Sequence, residues 1–316
     1  MAYMKVLSIG MDRKLFEENS AVLARSLDYA SKMEELHIIV FSLKKHKLSF
    51  KKINNLYLYP TNSFSRVSFL LGAYNLCKNI INKNNFIQNE SVITAQDPMS
   101  IIGYFLAKKF KFPFQLQIHT DIFSSHFKKT LVTWSNFWYS GLVQVPITRF
   151  LIPRVSGIRV VSAPIKDSIQ KEFPKLKVIP EVLPVYVDIQ SIIDTAPTIN
   201  VENEYPHFKF IIFMASRLTR EKRIDVAIHA LRRVVSEFPH TGLVIAGSGP
   251  EKNNLIRKAR QMGLEKNVVF VGWKNDLISY FKTADMYLLT SEYEGYGMTL
   301  IEAGASGCPI VTTKVG

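Results

Sequence analysis

Residues 291–310 read SEYEGYGMTLIEAGASGCPI. Two carboxylates stand eight positions apart in that stretch: Glu294 in a turn with Gly295 and Gly297, and Glu302 within an apolar run. A carboxylate in apolar surroundings is costly unless a partner or a ligand meets it. Side chains on a helix lean toward its N-terminus, so on a helix opened by Gly297 the Glu302 side chain reaches back toward the turn. Upstream, Arg217 and Lys222 follow one apolar strand pattern, Gly249 lies in a GSGP turn after a second, and Trp273 follows a third. The cations suit phosphate oxygens, and the helix start at Gly297 offers unpaired N–H groups and the positive end of a dipole. A carboxylate at Glu302 suits the paired hydroxyls of a ribose. Taken singly, each residue has a plainer role: a surface charge, a turn glycine, a packed tryptophan. Their succession on consecutive strand ends is what suggests a nucleoside diphosphate.

These residues depend on a scaffold of alternating strands and helices. Apolar runs at 5–10, 36–41, 91–94, 114–119 and 157–162 read as strands, with helical patterns such as 65–81 and 98–110 between them. A second series at 209–216, 242–248, 267–272, 285–290 and 308–313 is separated by helical patterns near 222–238, 250–262 and 297–306. This alternation predicts βα units and parallel sheets. Residues 180–208 hold Pro180, Pro184, Pro197 and Pro206 with little periodicity, the mark of a crossing between domains. The expected fold class is therefore α/β, with two Rossmann-like parallel-sheet domains facing across a cleft. The expected boundaries are a first domain over 1–184, a linker over 185–208 and a second domain over 209–316. In such sheets ligands sit at the carboxyl ends of the strands, where the candidate residues fall.

Composition narrows the class of protein. With 47% hydrophobic and 21% charged residues the chain is that of a globular protein, and two cysteines, Cys77 and Cys308, supply neither a disulfide framework nor a metal cluster. The N-terminal residues show no cleavage signal, so a cytoplasmic location is expected. Residues 1–200 carry 25 Lys and Arg against 14 Asp and Glu, whereas 201–316 carry 15 against 12, so the basic excess belongs to the first half. Such an excess suits an anionic membrane surface or nucleic acid. No zinc-finger spacing, aromatic RNP box or basic heptad arm is present, and no nucleic-acid partner is expected. Residues 130–148 lack charge but hold too many polar residues for a span of roughly twenty apolar positions. Trp134, Phe137, Trp138 and Tyr139, flanked by Lys128, Lys129, Arg149 and Arg154, suit a helix lying in a membrane interface or one packed on the first sheet.

The second half resembles the retaining glycosyltransferases of family 4, which have the GT-B fold. ASRLTREKRID (215–225) is similar to the family's Arg and Lys diphosphate motif, IAGSGP (245–250) to its second-strand loop, and EGYGMTLIE (294–302) to its paired-glutamate motif. The first half resembles the family more loosely, through QIHTD (117–121), VVSAPIKDSI (160–169) and VLPVYVD (182–188). The resemblance implies transfer of a sugar from a nucleotide-sugar donor, UDP- or GDP-linked, with retention at the anomeric carbon and without a metal or other cofactor. It implies Arg217, Lys222, Gly297 and Met298 at the diphosphate, and Glu294, Gly295 and Tyr296 at the sugar. It also implies Glu302, Gly249 and Trp273 at the nucleoside, and His119 with Glu294 as the catalytic pair. The acceptor is expected to be a glycan, for which soluble sugars are candidates, or a lipid-linked glycan met at the cytoplasmic face of a membrane. Where the family commonly has a glycine pair after its first strand, this chain has only Gly10. The family continues beyond the position of Gly316, so the resemblance implies a truncated second domain and reduced or absent activity in this form. A donor-binding fragment without turnover and a nucleotide-sugar epimerase of GT-B fold are the alternatives.

Overall fold

A computed structural model of the chain describes residues 4–18, 20–65, 68–96, 100–124, 127 and 143–315. The aromatic stretch around Trp134, Phe137, Trp138 and Tyr139, with Lys128 and Lys129, lies outside the described residues. The chain divides into two compact units, Met1–Pro184 and Val185–Gly316.

The first unit is built on an eight-stranded sheet in the order β3-β4-β2-β1-β5-β6-β7-β8. Its strands are β1 Lys5–Gly10, β2 Glu35–Val40, β3 Lys51–Ile53, β4 Leu56–Pro60, β5 Ser91–Gln96, β6 Phe114–Ile118, β7 Gly157–Val160 and β8 Glu181–Val182. Every pairing is parallel except β3 with β4. Its helices among the described residues are α1 Ala21–Ser31, α2 Phe69–Lys83, α3 Ser100–Phe110, α4 Val145–Leu151 and α5 Ala163–Glu172. Ser20 starts α1 by accepting the Leu23 N–H at 3.1 Å, a cap worth about 1 kcal/mol. Central strands are covered on both faces, which explains runs such as Leu36–Val40 that are buried without alternation.

The second unit has a five-stranded, wholly parallel sheet in the order β11-β10-β9-β12-β13. Its strands are β9 Phe210–Ala215, β10 Thr241–Ala246, β11 Val268–Gly272, β12 Met286–Leu289 and β13 Ile310–Thr312. The helices are α6 Ile189–Asp194, α7 Val201–Glu204, α8 Ile224–Glu237, α9 Lys252–Gln261, α10 Leu277–Thr283 and α11 Met298–Ala305. Alternate residues of β9 feed two cores. Ile212 and Met214 pack with Ile228 and Leu231 of α8 and Leu255 of α9. Ile211, Phe213 and Ala215 pack with Tyr280, Tyr287 and Ala303 on the other side. Successive strands step from β9 to β11 in one direction, and the chain then crosses back to place β12 on the other flank of β9. The strand order therefore reverses between β9 and β12, the kind of point at which doubly wound sheets bind ligands.

Two parallel-sheet α/β domains are the expected fold class. Residues 185–208, expected as a linker, carry α6 and α7 within the second unit. Ile192 and Val201 are buried, and Lys282 donates to the carbonyls of Ile193 and Thr195 at 2.7 and 2.6 Å. The hairpin β3–β4 and the short β8 add to the strands read from the sequence. Helix α9 begins at Lys252 rather than at Pro250.

Candidate functional site

The loops after β9 and β12 flank the point where the strand order reverses, and side chains lace them together. After β9 the chain runs through Arg217 into a 3-10 turn, Arg220–Lys222, and leaves it at Arg223 in the left-handed region, φ 47°. The turn carries the Lys222 ammonium inward, where Nζ donates to Oε1 of Glu294 at 2.6 Å. Both side chains are nearly buried, 12% and 13% exposed. Ser291 Oγ donates to the same carboxylate oxygen at 2.7 Å. Thr290 Oγ1 lies 3.1 and 2.9 Å from the carbonyls of Lys222 and Arg223, and Glu292 N–H donates to the Glu221 carbonyl at 2.8 Å. A charge pair so little exposed is held by its hydrogen bonds as much as by Coulomb attraction.

Arg217 differs from Lys222. Its side chain is 70% exposed, with one nitrogen 3.5 Å from Glu221, a contact too open to neutralise it firmly. Gly249 is packed from below by the β9 loop: a Cβ there would collide with the Leu218 carbonyl, and one at Gly247 with the Ser216 carbonyl. Leu218 N–H donates to Ser248 O at 2.9 Å and Glu251 N–H to Leu218 O at 3.0 Å, so the two loops run backbone against backbone. Only residues without a Cβ permit that approach. Trp273, after β11, is 56% exposed, and its Nε1–H donates to Asn275 Oδ1 at 3.1 Å.

Gly297 takes φ 70° and opens α11, whose N-terminus has no side-chain cap. Gly295, Tyr296 and Met298 are half-buried beside it. The first turn of α11 is tied to the sheet by Tyr287, whose hydroxyl donates to Thr299 Oγ1 at 2.7 Å and lies 3.3 Å from the carbonyl of Ala215 at the end of β9. Glu302 projects from the next turn. Among the described residues its carboxylate has no ion-pair or hydrogen-bond partner, and burial pushes it above the ordinary range. Lys222 is committed to Glu294 and leaves Glu302 without an ion pair among the described residues.

His119 belongs to the first unit and follows β6. Its Nε2 is buried without a hydrogen-bond partner among the described residues. Burial, reinforced by Arg159 and Arg25, lowers its pKa to about 4, so the imidazole is neutral at neutral pH. Sequence reasoning missed Thr290, Ser291 and Tyr287. The only signal available was a pair of hydroxyl residues closing an apolar strand, and it does not say what they touch.

Residues 197–316 match the family model described as glycosyl transferases group 1. An uncharacterized glycosyltransferase of Methanocaldococcus jannaschii is 38% identical over 110 residues, 34% of this chain and 28% of that protein. Alpha-monoglucosyldiacylglycerol synthase of Streptococcus pneumoniae is 26% identical over 226 residues, 67% of this chain and 49% of that protein. The matches thus span half or less of these relatives' lengths. Among solved structures, Anabaena HepE in complex with UDP and glucose superposes with a TM-score of 0.72 at 17% identity, over 99% of this chain and 82% of that one. That likeness is one of fold. The group 1 match and the shared two-sheet architecture together support the GT-B glycosyltransferase superfamily.

Proposed function

We propose that the chain moves a hexose from a nucleoside-diphosphate sugar to a glycan or lipid-linked glycan with retention at the anomeric carbon, in the manner of family 4 enzymes. The observation that carries this reading is the meeting of Lys222 and Glu294 where the strand order of the second unit reverses, beside the uncapped start of α11. A diphosphate there is held by Arg217, by Lys222 and by the N–H groups that Gly297 and Met298 present. Cations and a helix dipole then stabilise the departing diphosphate without a metal ion. Glu302, without a partner among the described residues, takes the ribose hydroxyls, with Gly249 and Trp273 along the nucleoside. Glu294, Gly295 and Tyr296 take the sugar hydroxyls, and neutral His119 serves at the sugar and the leaving oxygen. UDP and glucose in the HepE structure favour a UDP-linked donor. The lipid named by the pneumococcal relative favours a lipid-linked acceptor at the cytoplasmic membrane face. Among the described residues no helix is long and apolar enough to cross a membrane, so contact with one is proposed as peripheral.

Calorimetric titration with UDP, GDP and ADP tests the donor site. One nucleotide is expected to bind, and Glu302→Ala and Lys222→Ala each to weaken it by roughly 1–3 kcal/mol, the range for a lost charged hydrogen bond. Glu294→Ala is expected to spare the bare nucleotide and abolish transfer. Unchanged affinity in both Glu302→Ala and Lys222→Ala, with the fold intact, removes the assignment.

A further inference from the structure

Between Leu36 and Lys166 the chain has three acidic residues, Glu90, Asp97 and Asp121, against 17 Lys and Arg. The fold gathers part of that imbalance onto one face of the first unit. The crossovers β4 to β5, β5 to β6 and β6 to β7 all advance in one direction across the sheet. Right-handed crossovers that advance the same way place their helices on the same side. Helices α2, α3 and α4 therefore share a face, and none of the three contains Asp or Glu. Side chains confirm the neighbourhood. Lys109 Nζ donates to Tyr74 Oη at 3.0 Å, joining α3 to α2. Tyr104 meets Phe150 with ring centroids 5.8 Å apart, joining α3 to α4.

This face also exposes large apolar side chains. Leu71 is 71% exposed and Phe105 51%, with Leu70 and Phe150 close behind. Leu70 and Phe105 stand one helical turn before Tyr74 and Lys109, the pair already in contact. The Arg154 guanidinium lies 4.3 Å from the centre of the Phe150 ring. By the same rule α5, in the β7 to β8 crossover, borders this face with Asp167 and Glu172, and Glu172 pairs with Arg149 of α4. The lysines of α2 and α3 remain in excess over these acids, and cations with long apolar stems set among aliphatic and phenyl side chains match the boundary between anionic headgroups and acyl chains. Exposed leucine and phenylalanine have nothing to gain from phosphate backbones or base edges, so nucleic acid fits the face less well.

We infer that the α2–α3–α4 face of the first unit docks on an anionic lipid bilayer. The inference deepens the proposed lipid-linked acceptor and rests on that reading for its purpose. It makes the basic first half a device for holding the enzyme at the surface where such an acceptor lies.

The test is co-sedimentation of the 316-residue chain with vesicles of phosphatidylglycerol and phosphatidylcholine, and with phosphatidylcholine alone. Binding to the anionic vesicles is expected to be at least tenfold stronger and to fall steeply with salt. Leu71→Asp with Phe105→Asp, and separately Lys108→Glu with Lys109→Glu, are each expected to weaken it at least fivefold. Arg232→Glu with Arg233→Glu, on the exposed side of α8 in the second unit, is expected to leave it unchanged. All six positions are exposed, and an unchanged circular dichroism spectrum and urea unfolding curve in each variant certify the fold. Three results overturn the inference. Both face variants sediment like the parent; or Trp134→Ala with Trp138→Ala alone abolishes binding; or a short DNA duplex binds more tightly than vesicles and responds only to the charge reversal. Vesicle binding as expected without any nucleotide binding leaves the docking face standing and removes the transferase reading.

Discussion

At the scale of single residues, the pairing of Lys222 with Glu294 places stability and binding on the same atoms. Removing one partner leaves the other charge nearly buried and unmatched, whereas removing both leaves only a polar gap. Lys222→Met is expected to cost about 2–4 kcal/mol in urea unfolding, and Lys222→Met with Glu294→Gln distinctly less than the sum of the single changes. Strict additivity would mean that the pair contributes nothing and that Ser291 alone holds Glu294. Glu302 poses the opposite case. Burial raises its carboxyl above the ordinary value, so the folded state holds that proton more tightly than the unfolded chain. Its contribution is present below the ordinary carboxylate range and is lost as pH rises through the raised value. Glu302→Gln is therefore expected to raise the thermal midpoint of the ligand-free protein at neutral pH, with the difference shrinking as pH falls toward 4, while nucleotide binding weakens. A midpoint that drops at neutral pH would show that the carboxylate has a stabilising partner after all.

At the scale of elements, the loops after β9 and β10 are held by backbone contact rather than by side chains, and glycine is what permits it. Gly249→Ala puts a methyl group against the Leu218 carbonyl. Backbone must yield, since no flexible side chain stands in the way, and overpacking of this kind costs typically 1–3 kcal/mol. The same shift displaces the turn that carries Arg217 and Lys222. Gly249→Ala is thus expected to lower both stability and nucleotide affinity, read by urea unfolding and calorimetry on the one variant; lost stability with full affinity would separate this loop from the ligand. Such packing was only partly legible in the sequence. Long apolar runs announced the central strands, because both faces of a parallel sheet are covered. The hairpin β3–β4 was harder: Leu56 and Leu58 are buried while Tyr57 and Tyr59 are half-exposed, and the lysines before the turn at Asn54, φ 51°, hide that alternation. At the site, position on strand ends could be read from the spacing. The partner of Lys222 could not, because Glu294 lies 72 positions away and meets it only once β12 is laid beside β9. Nor could the roles of Thr290 and Ser291, whose hydroxyls are interchangeable with surface serines until the strand order is known.

At the scale of the whole molecule, the two units have separate cores and different charge, and this bears on how a ligand acts. The β9-centred core is sandwiched entirely within the second unit, and the first unit closes another around Val6, Leu36, Leu56 and Leu58. Domains with cores of their own open as separate cooperative units. Each candidate donor contact except His119 lies in the second unit, and bare UDP lacks the sugar that His119 is proposed to serve. UDP at 100 times its dissociation constant stabilises whatever unit binds it by about 2.7 kcal/mol, roughly a hundredfold in the opening equilibrium. Amide hydrogen exchange is therefore expected to slow by about that factor in the most protected positions of β9 and β10. Those of β1 and β5 should keep their rates. Equal slowing in both units would mean that the chain opens as one body, and the donor contacts would then have to be sought in the first unit as well. Slowing in β1 and β5 alone would move the nucleotide to the first unit, and with it the meaning of the Lys222–Glu294 pair, which would become a structural clasp at the point where the strand order turns.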